Sequence, residues 1–315
     1  PTVNGYSTTT IDATDVTTLT GTNAEIVAAY AADTASTVNI DGDAKLTVSD
    51  TINVTEANTI DAYTTGVVTA TISVQTIADL DDLTGTNNAY TITVASTQVT
   101  AVALNTVDAA TTLNVTASAV TKITGSPTDL ATTYSGNITG LGNEAIVVTG
   151  GNITHTQANT INAYTTGVVT ATLSTTAIND LDDLTGTGNA YTITIADTQV
   201  TAGALNTVNA ATTVNVTVTA VTQITGTPTD LATVYGGGLT GLGNEKNIVT
   251  INITHTQANT IDAYTTGVVT ATLSTTAIDD LDDLTGTGNS YTITVADTQV
   301  TAAALNTVNA ATTID

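Results

Sequence analysis

The residues able to do chemistry in this chain are few in kind. There are two histidines, His155 and His255, and 28 Asp and Glu against three Lys and no Arg, with no Cys. A catalytic histidine needs a partner that orients it, and Ser and Thr are so abundant that no Ser/His/Asp set stands out. The two histidines sit in the same repeated segment, Ile-Thr-His-Thr-Gln-Ala-Asn, and the matching segment at 52–58 carries Val54 instead. A position that exchanges histidine for valine is read as structural. No catalytic residue is assigned, and the chain is read as a non-enzyme.

The acidic residues are clustered. Asp79, Asp81 and Asp82 recur as Asp180, Asp182 and Asp183, and again as Asp279, Asp280, Asp282 and Asp283. Converging carboxylates bind Ca²⁺, which makes Asp81, Asp82, Asp182, Asp183, Asp282 and Asp283 candidate ligands of a weak calcium site. The alternative is a short helix that buries its leucines and turns its Asp residues to solvent. Neither the EF-hand loop nor the calcium nonapeptide is present. A carboxylate pair for glycoside hydrolysis needs one unique cleft, and every pair here occurs three times.

The third group is a set of Thr-x-Thr strands: Thr69/Thr71, Thr91/Thr93, Thr170/Thr172, Thr192/Thr194, Thr270/Thr272 and Thr292/Thr294. Stacked in register they would form ranks of hydroxyls and methyls able to order water, bind ice or bind a glycan. The plainer reading is that Thr suits the outward face of a strand, and Asn114 and Asn215 interrupt the pattern. The tyrosines recur at fixed places and read as packing layers. Six Asn-x-Thr sequons, at Asn53, Asn114, Asn137, Asn152, Asn215 and Asn252, are expected by chance in so Thr-rich a chain. The loop Tyr235–Leu239 carries glycines but no following Lys, so it is not a phosphate cradle.

These residues ride on a repeat. ANTIDAYTTGVVTAT at 57 returns as ANTINAYTTGVVTAT at 158 and ANTIDAYTTGVVTAT at 258, offsets of 101 and 100 residues. Within each repeat, runs with period two, such as Tyr191–Ile195, precede segments with helical spacing, such as Ile178, Leu181 and Leu184 or Val200, Ala204, Leu205 and Val208. Thr175 or Thr176 is the expected cap of the first helical segment and Gly186 its end. The helical segments of the second and third units are expected over 200–209 and 221–235. The fold expected is therefore an α/β solenoid, one parallel strand and one short helix per coil of 23–30 residues, about twelve coils in all. At about 4.8 Å per strand that is a rod of roughly 60 Å. The superrepeats run 1–66 (partial), 67–167, 168–267 and 268–315 (partial), as one continuous solenoid. The competitor is a tandem of all-β immunoglobulin-like sandwiches, which the Ala-rich segments disfavour.

Composition narrows the function. The net charge of −25 disfavours nucleic acid and anionic membranes, and no apolar run is long enough to span a bilayer. A neutral, hydroxyl-rich surface with few tryptic sites suits an extracellular protein. Pro1 opens without a charged leader, and Thr313-Ile314-Asp315 resembles Thr10-Ile11-Asp12. Both ends are therefore expected to lie within a longer array.

Gly140-Leu141-Gly142-Asn143-Glu144, Gly241-Leu242-Gly243-Asn244-Glu245, the Leu-Asn-Thr-Val segments at 104–107, 205–208 and 305–308, and the Leu-Thr-Gly-Thr segments at 19–22, 83–86, 184–187 and 284–287 carry a resemblance over nearly the whole chain. The chain resembles the giant repetitive cell-surface proteins of marine cyanobacteria. The resemblance implies a surface role in motility or adhesion and supplies no catalytic residue. The expected function is an extracellular structural or adhesive element that forms a rod or filament by association with like chains or adjacent repeats. An ice- or glycan-binding module and a segment of a phage fibre are the alternatives.

Overall fold

The structure is a computed structural model and describes residues 9–313; Ile314 and Asp315, part of the expectation about the chain ends, lie outside them. Short parallel strands alternate with short helices, an α/β arrangement compatible with a solenoid. The all-β sandwich is thereby overturned. Ala202–Ala211 and Ala302–Ala311 are helices, as their Ala and Leu content favours.

Two compact units are present, one of residues 9–150 with 163–168, the other of 151–162 with 169–313. In the first, Thr18–Gly21, Lys45–Ile52, Val68–Ile72, Ala89–Thr93, Val115–Thr116 and Ile138–Thr139 pair in chain order. The register runs Leu19–Leu46, Leu46–Val68, Ala70–Tyr90, Ile92–Val115 and Val115–Ile138, steps of 27, 22, 20, 23 and 23 residues. In the second unit, Gln199–Thr201, Gln223–Gly226, Lys246–Val249, Val269–Thr272 and Ser290–Thr292 do the same. Parallel neighbours cannot be joined by a tight turn, so most crossovers carry a helix.

A coil commonly holds two short strands where the periodicity suggests one. Gln98–Thr100, Lys122–Gly125 and Ala145–Val148 make a second run of pairs in the first unit. The expected helices at 200–209 and 221–235 accordingly begin as strands, Gln199–Thr201 and Gln223–Gly226, and turn helical at Ala202 and Pro228. Local chemistry sets the switch. Thr201 and Thr227 hydroxyls accept from the N–H groups of Ala204 and Asp230, and Pro228 supplies a preset first-turn φ.

The caps of the shortest helices also differ from expectation. Ile178–Leu181 takes no cap from Thr175 or Thr176; the Ile178 N–H donates to Asp197 Oδ2 at 2.6 Å. Ile278 donates to Asp297 at 2.6 Å in the same way, and Ile77 to Ser96 Oγ at 2.9 Å. The cap comes from the next coil, which local spacing cannot reveal. Such short helices are unstable alone and are held by their buried leucines, Leu80, Leu181 and Leu281, each with 0% exposure.

Candidate functional site

The histidines begin helices. His155 opens His155–Asn162 and His255 opens His255–Asp262. Both rings are half-buried among hydroxyls: His155 Nδ1 lies 3.4 Å from Thr175 Oγ1, and Nε2 lies 3.1 Å from Thr156 Oγ1. His255 repeats this with Thr275 and Thr256 at 3.5 and 3.1 Å. The main-chain N–H of each also donates to that Thr175 or Thr275 hydroxyl at 3.1 Å, tying one coil to the next. Val54, the equivalent residue, is buried at the start of Val54–Asp61.

Asp82, Asp183 and Asp283 are exposed, and Asp81, Asp182 and Asp282 are half-buried at the C-caps of the four-residue helices. Among the described residues no three His, Cys, Asp or Glu side chains converge so as to hold a metal ion. What organises the acidic turns is an amide. Asn58 Nδ2 donates to the Asp82 carbonyl at 2.8 Å while its Oδ1 accepts from the Thr84 N–H at 3.0 Å. Asn159 and Asn259 make the same pair of bonds at 183/185 and 283/285. A groove of about 710 Å³ lies along the first of these turns, with Glu56, Asp79 and Asp82 on its wall. Glu56 accepts from its own N-cap, the Asn53 N–H, at 2.9 Å, and Asp79 from the Thr76 hydroxyl at 2.5 Å.

The Thr-x-Thr residues face mainly outward. Thr69, Thr71, Thr91, Thr170, Thr172, Thr192, Thr194, Thr272, Thr292 and Thr294 are exposed, whereas Thr93 and Thr270 are half-buried. Their register makes short ranks: Thr51–Thr71–Thr91 and Thr93–Thr116–Thr139 in the first unit, Thr172–Thr192 and Thr272–Thr292 in the second.

Sequence reasoning missed the buried polar residues. Asn88, Asn189 and Asn289 are each 2% exposed. Asn88 Oδ1 accepts from the Val68 N–H at 2.8 Å and its amide donates to Asp61 at 2.7 Å; the other two repeat this with Val169 and Asn162, and with Val269 and Asp262. Thr111 and Thr212 hydroxyls accept from the N–H groups of Tyr90 and Tyr191 at 3.0 and 2.9 Å and donate back to the carbonyls at 2.8 Å. Each side chain stands in for a missing strand neighbour.

Glu144 and Glu245 are buried completely. Glu144 accepts from the N–H groups of Gly142 and Asn143 at 2.7 and 3.1 Å, and from the Tyr134 hydroxyl. Glu245 accepts from Gly243 N–H at 2.7 Å and the Tyr235 hydroxyl at 3.0 Å. The Gly-Leu-Gly-Asn-Glu motif is thus a turn wrapped around its own carboxylate, and Gly142 at φ +128° and Gly243 at φ +139° aim their N–H groups inward. Tyr164 stacks on Tyr134 at 4.6 Å and Tyr264 on Tyr235 at 5.0 Å. Burial pushes the Tyr134 hydroxyl well above its ordinary pKa, and Glu144 adds to the shift by hydrogen bond and charge. The recurrence of the motif at a hundred-residue spacing was the visible signal; that its Glu turns inward was not.

No family model, curated protein or solved structure matches the chain. Among the described residues no helix is long and apolar enough to cross a membrane.

Proposed function

We propose that this chain is an extracellular structural and adhesive repeat element, a solenoid of about twelve coils whose task is reach and cohesion at a cell surface. The supporting observation is where its polar side chains are used. Asn58, Asn159 and Asn259 bond the following coil at one position, and Asn88, Asn189 and Asn289 bond the preceding one at another. Amides that replace backbone partners, half-buried at Asn58, Asn159 and Asn259 and buried at Asn88, Asn189 and Asn289, are what a stack of like units needs if each junction is to resist slipping. The thrice-repeated layout suits a material built by extension. Calcium enters this reading only as diffuse charge relief at exposed Asp82, Asp183 and Asp283.

Single-molecule stretching tests it. Unravelling in steps of about one coil, roughly 80 Å of contour for ~23 residues at ~3.5 Å each, is the expected result. Release of the entire chain in one event would count against a junction-by-junction scaffold.

The register of Thr51, Thr71 and Thr91 favours a second reading, water ordering or glycan contact on the Thr face. Thermal hysteresis that Thr71→Tyr abolishes would support it; no hysteresis in the unaltered chain would remove the ice-binding form.

A further inference from the structure

One-electron oxidation of this chain falls on tyrosine. Cys and Met ordinarily take up oxidising equivalents, and the sequence has neither, nor any Trp, against 10 Tyr. The tyrosines are not alike. Tyr90, Tyr191 and Tyr291 are 1%, 0% and 1% exposed, and among the described residues their hydroxyls meet no hydrogen-bond partner. A phenol that loses an electron must also shed its proton, so a hydroxyl with no acceptor, shut away from solvent, resists oxidation.

Tyr134, Tyr164, Tyr235 and Tyr264 are half-buried instead, within reach of a small oxidant. Two of them have a proton acceptor in place. The Tyr134 hydroxyl donates to the Glu144 carboxylate. The Tyr235 hydroxyl lies 3.0 Å from Glu245 Oε2 and 3.2 Å from Asn247 Oδ1, and of these oxygens the carboxylate is the one able to take a proton.

Each of these two tyrosines also has a second phenol against its face. Tyr164 lies on Tyr134 at 4.6 Å between centroids and 11° between planes, Tyr264 on Tyr235 at 5.0 Å and 15°. The orbital holding the unpaired electron of a phenoxyl radical stands perpendicular to the ring. Two such radicals therefore join face to face, and these parallel pairs are held in that approach.

We infer that Tyr134 with Tyr164, and Tyr235 with Tyr264, are sites of oxidative cross-linking, each pair closing to a dityrosine under a one-electron oxidant. Each phenol of a pair gives up one electron and its hydroxyl proton, Tyr134 to Glu144, Tyr235 to Glu245, Tyr164 and Tyr264 to water. A carbon–carbon bond forms between one ortho carbon of each ring. The hydrogen on each of those carbons then leaves as a proton while a proton returns to each oxygen, which restores both aromatic rings. The net loss is two hydrogen atoms per pair; with hydrogen peroxide as the final acceptor, one peroxide becomes two waters.

The bond ties one coil to the next. Tyr134 lies in helix Pro127–Ser135 and Tyr164 follows His155–Asn162; Tyr235 ends Pro228–Tyr235 and Tyr264 follows His255–Asp262. In a chain without Cys it supplies the covalent staple that a disulfide gives elsewhere. The inference goes beyond the scaffold reading and does not depend on it. Tyr30 and Tyr63 are the internal control. They stack at 4.7 Å and 7°, but Ala44 stands in the place of Glu144, and Tyr30 is 5% exposed with no partner for its hydroxyl among the described residues.

The lysines make the outcome readable. Cleavage after Lys45 separates Tyr30 from Tyr63, and cleavage after Lys246 separates Tyr235 from Tyr264. The dilute 315-residue chain is oxidised with light, tris(bipyridyl)ruthenium and persulfate, then denatured, cleaved at lysine and weighed by mass spectrometry. Fragments 123–246 and 247–315 are expected to stay joined, lacking two hydrogens for each pair that has closed, while 1–45 separates from 46–122. Tyr264→Phe keeps the ring stack, removes the phenol and is expected to free 247–315. Glu245→Gln is expected to slow the joining ~100-fold, the lower end of what a positioned proton acceptor contributes. Fragments that all separate after oxidation overturn the inference, as does joining that survives Tyr264→Phe. Joining of 1–45 to 46–122 as fast as that of 123–246 to 247–315 overturns the part given to the acid, and reads that part even if Glu245→Gln loses its fold. Stretching of the unoxidised chain coil by coil is independent of either result, so failure here leaves the scaffold reading standing.

Discussion

Two places in the molecule carry the same stacked tyrosine pair on different foundations. At Tyr134 and Tyr164 the neighbouring turn supplies Glu144, whose carboxylate collects two backbone N–H groups and the Tyr134 hydroxyl. At Tyr30 and Tyr63 the rings stack at 4.7 Å, but the residue in the place of Glu144 is Ala44, and the buried Tyr30 hydroxyl finds no partner among the described residues. The pair survives without its acid, so ring packing alone defines the layer. Where the acid is present, the turn, the carboxylate and the hydroxyl depend on one another, because removing any one strands the others in an apolar setting.

The largest expected effect comes from breaking the acid. Glu144→Ala orphans the Gly142 and Asn143 N–H groups and the Tyr134 hydroxyl, and is expected to cost about 3 kcal/mol in urea unfolding. The turn at Ala44 shows what the backbone does when no acid must be cradled. A loss below about 1 kcal/mol would show that Glu144 is held by its turn without supporting it.

Alkali acts on this layer and on the other buried tyrosines. Tyr30, Tyr90, Tyr134, Tyr191, Tyr235 and Tyr291 all have hydroxyls raised by burial above the ordinary value of 10.0, Tyr191 to about 12. A folded pKa above the unfolded one means that the native state keeps a proton the unfolded chain releases. This contribution is therefore complete below pH 10 and declines as pH rises from 10 through about 12. The expected measurement is a melting temperature flat from pH 8 to 10 that then falls steeply, with a shallower fall in Tyr134→Phe. A melting temperature that stays flat to pH 12 would contradict the burial of these hydroxyls.

The next effect separates the two layers directly. Tyr134→Phe removes a charge-assisted hydrogen bond and is expected to cost about 2 kcal/mol. Tyr30→Phe removes a hydroxyl with no partner among the described residues and is expected to be neutral or slightly stabilising. Equal losses at the two positions would mean that the contrast between Glu144 and Ala44 carries no energy.

The alternation of strand and helix was legible because periods of two and of 3.6 are written in single residues, although the strand keeps only 191–192 of the run Tyr191–Ile195 and the helix ends at Leu181, before Leu184. The equivalence of His155, His255 and Val54 was legible, and each opens the same helix of its repeat, since position in a repeat survives without coordinates. What stayed hidden depends on the neighbouring coil. Asp197 caps Ile178 from nineteen residues away, and Gln199–Thr201 becomes a strand because Gln223–Gly226 runs alongside it. Asn88 and Glu144 were also missed. Composition places Asn and Glu at surfaces, and only a partner count shows that these two replace backbone bonds inside.

The smallest effect tests the turn itself. Gly42 and Gly142 occupy the same place, and the carbonyl of each accepts from a Thr N–H, Thr65 at 2.8 Å and Thr166 at 2.9 Å. They differ in conformation. Gly142 sits at φ +128°, which points its N–H at Glu144, while Gly42 lies outside the positive range and a Cβ there meets nothing within 4 Å. Gly142→Ala is expected to lose about 1–2 kcal/mol through backbone strain. Gly42→Ala is expected to be neutral or to gain up to about 0.5 kcal/mol by restricting the unfolded chain. The difference between the two variants isolates what the left-handed turn contributes, because shape, position and side-chain volume are matched. If both alanines were tolerated equally, the left-handed glycine would be incidental, and the Glu144 carboxylate would have to draw its support from Tyr134 and Asn143 alone.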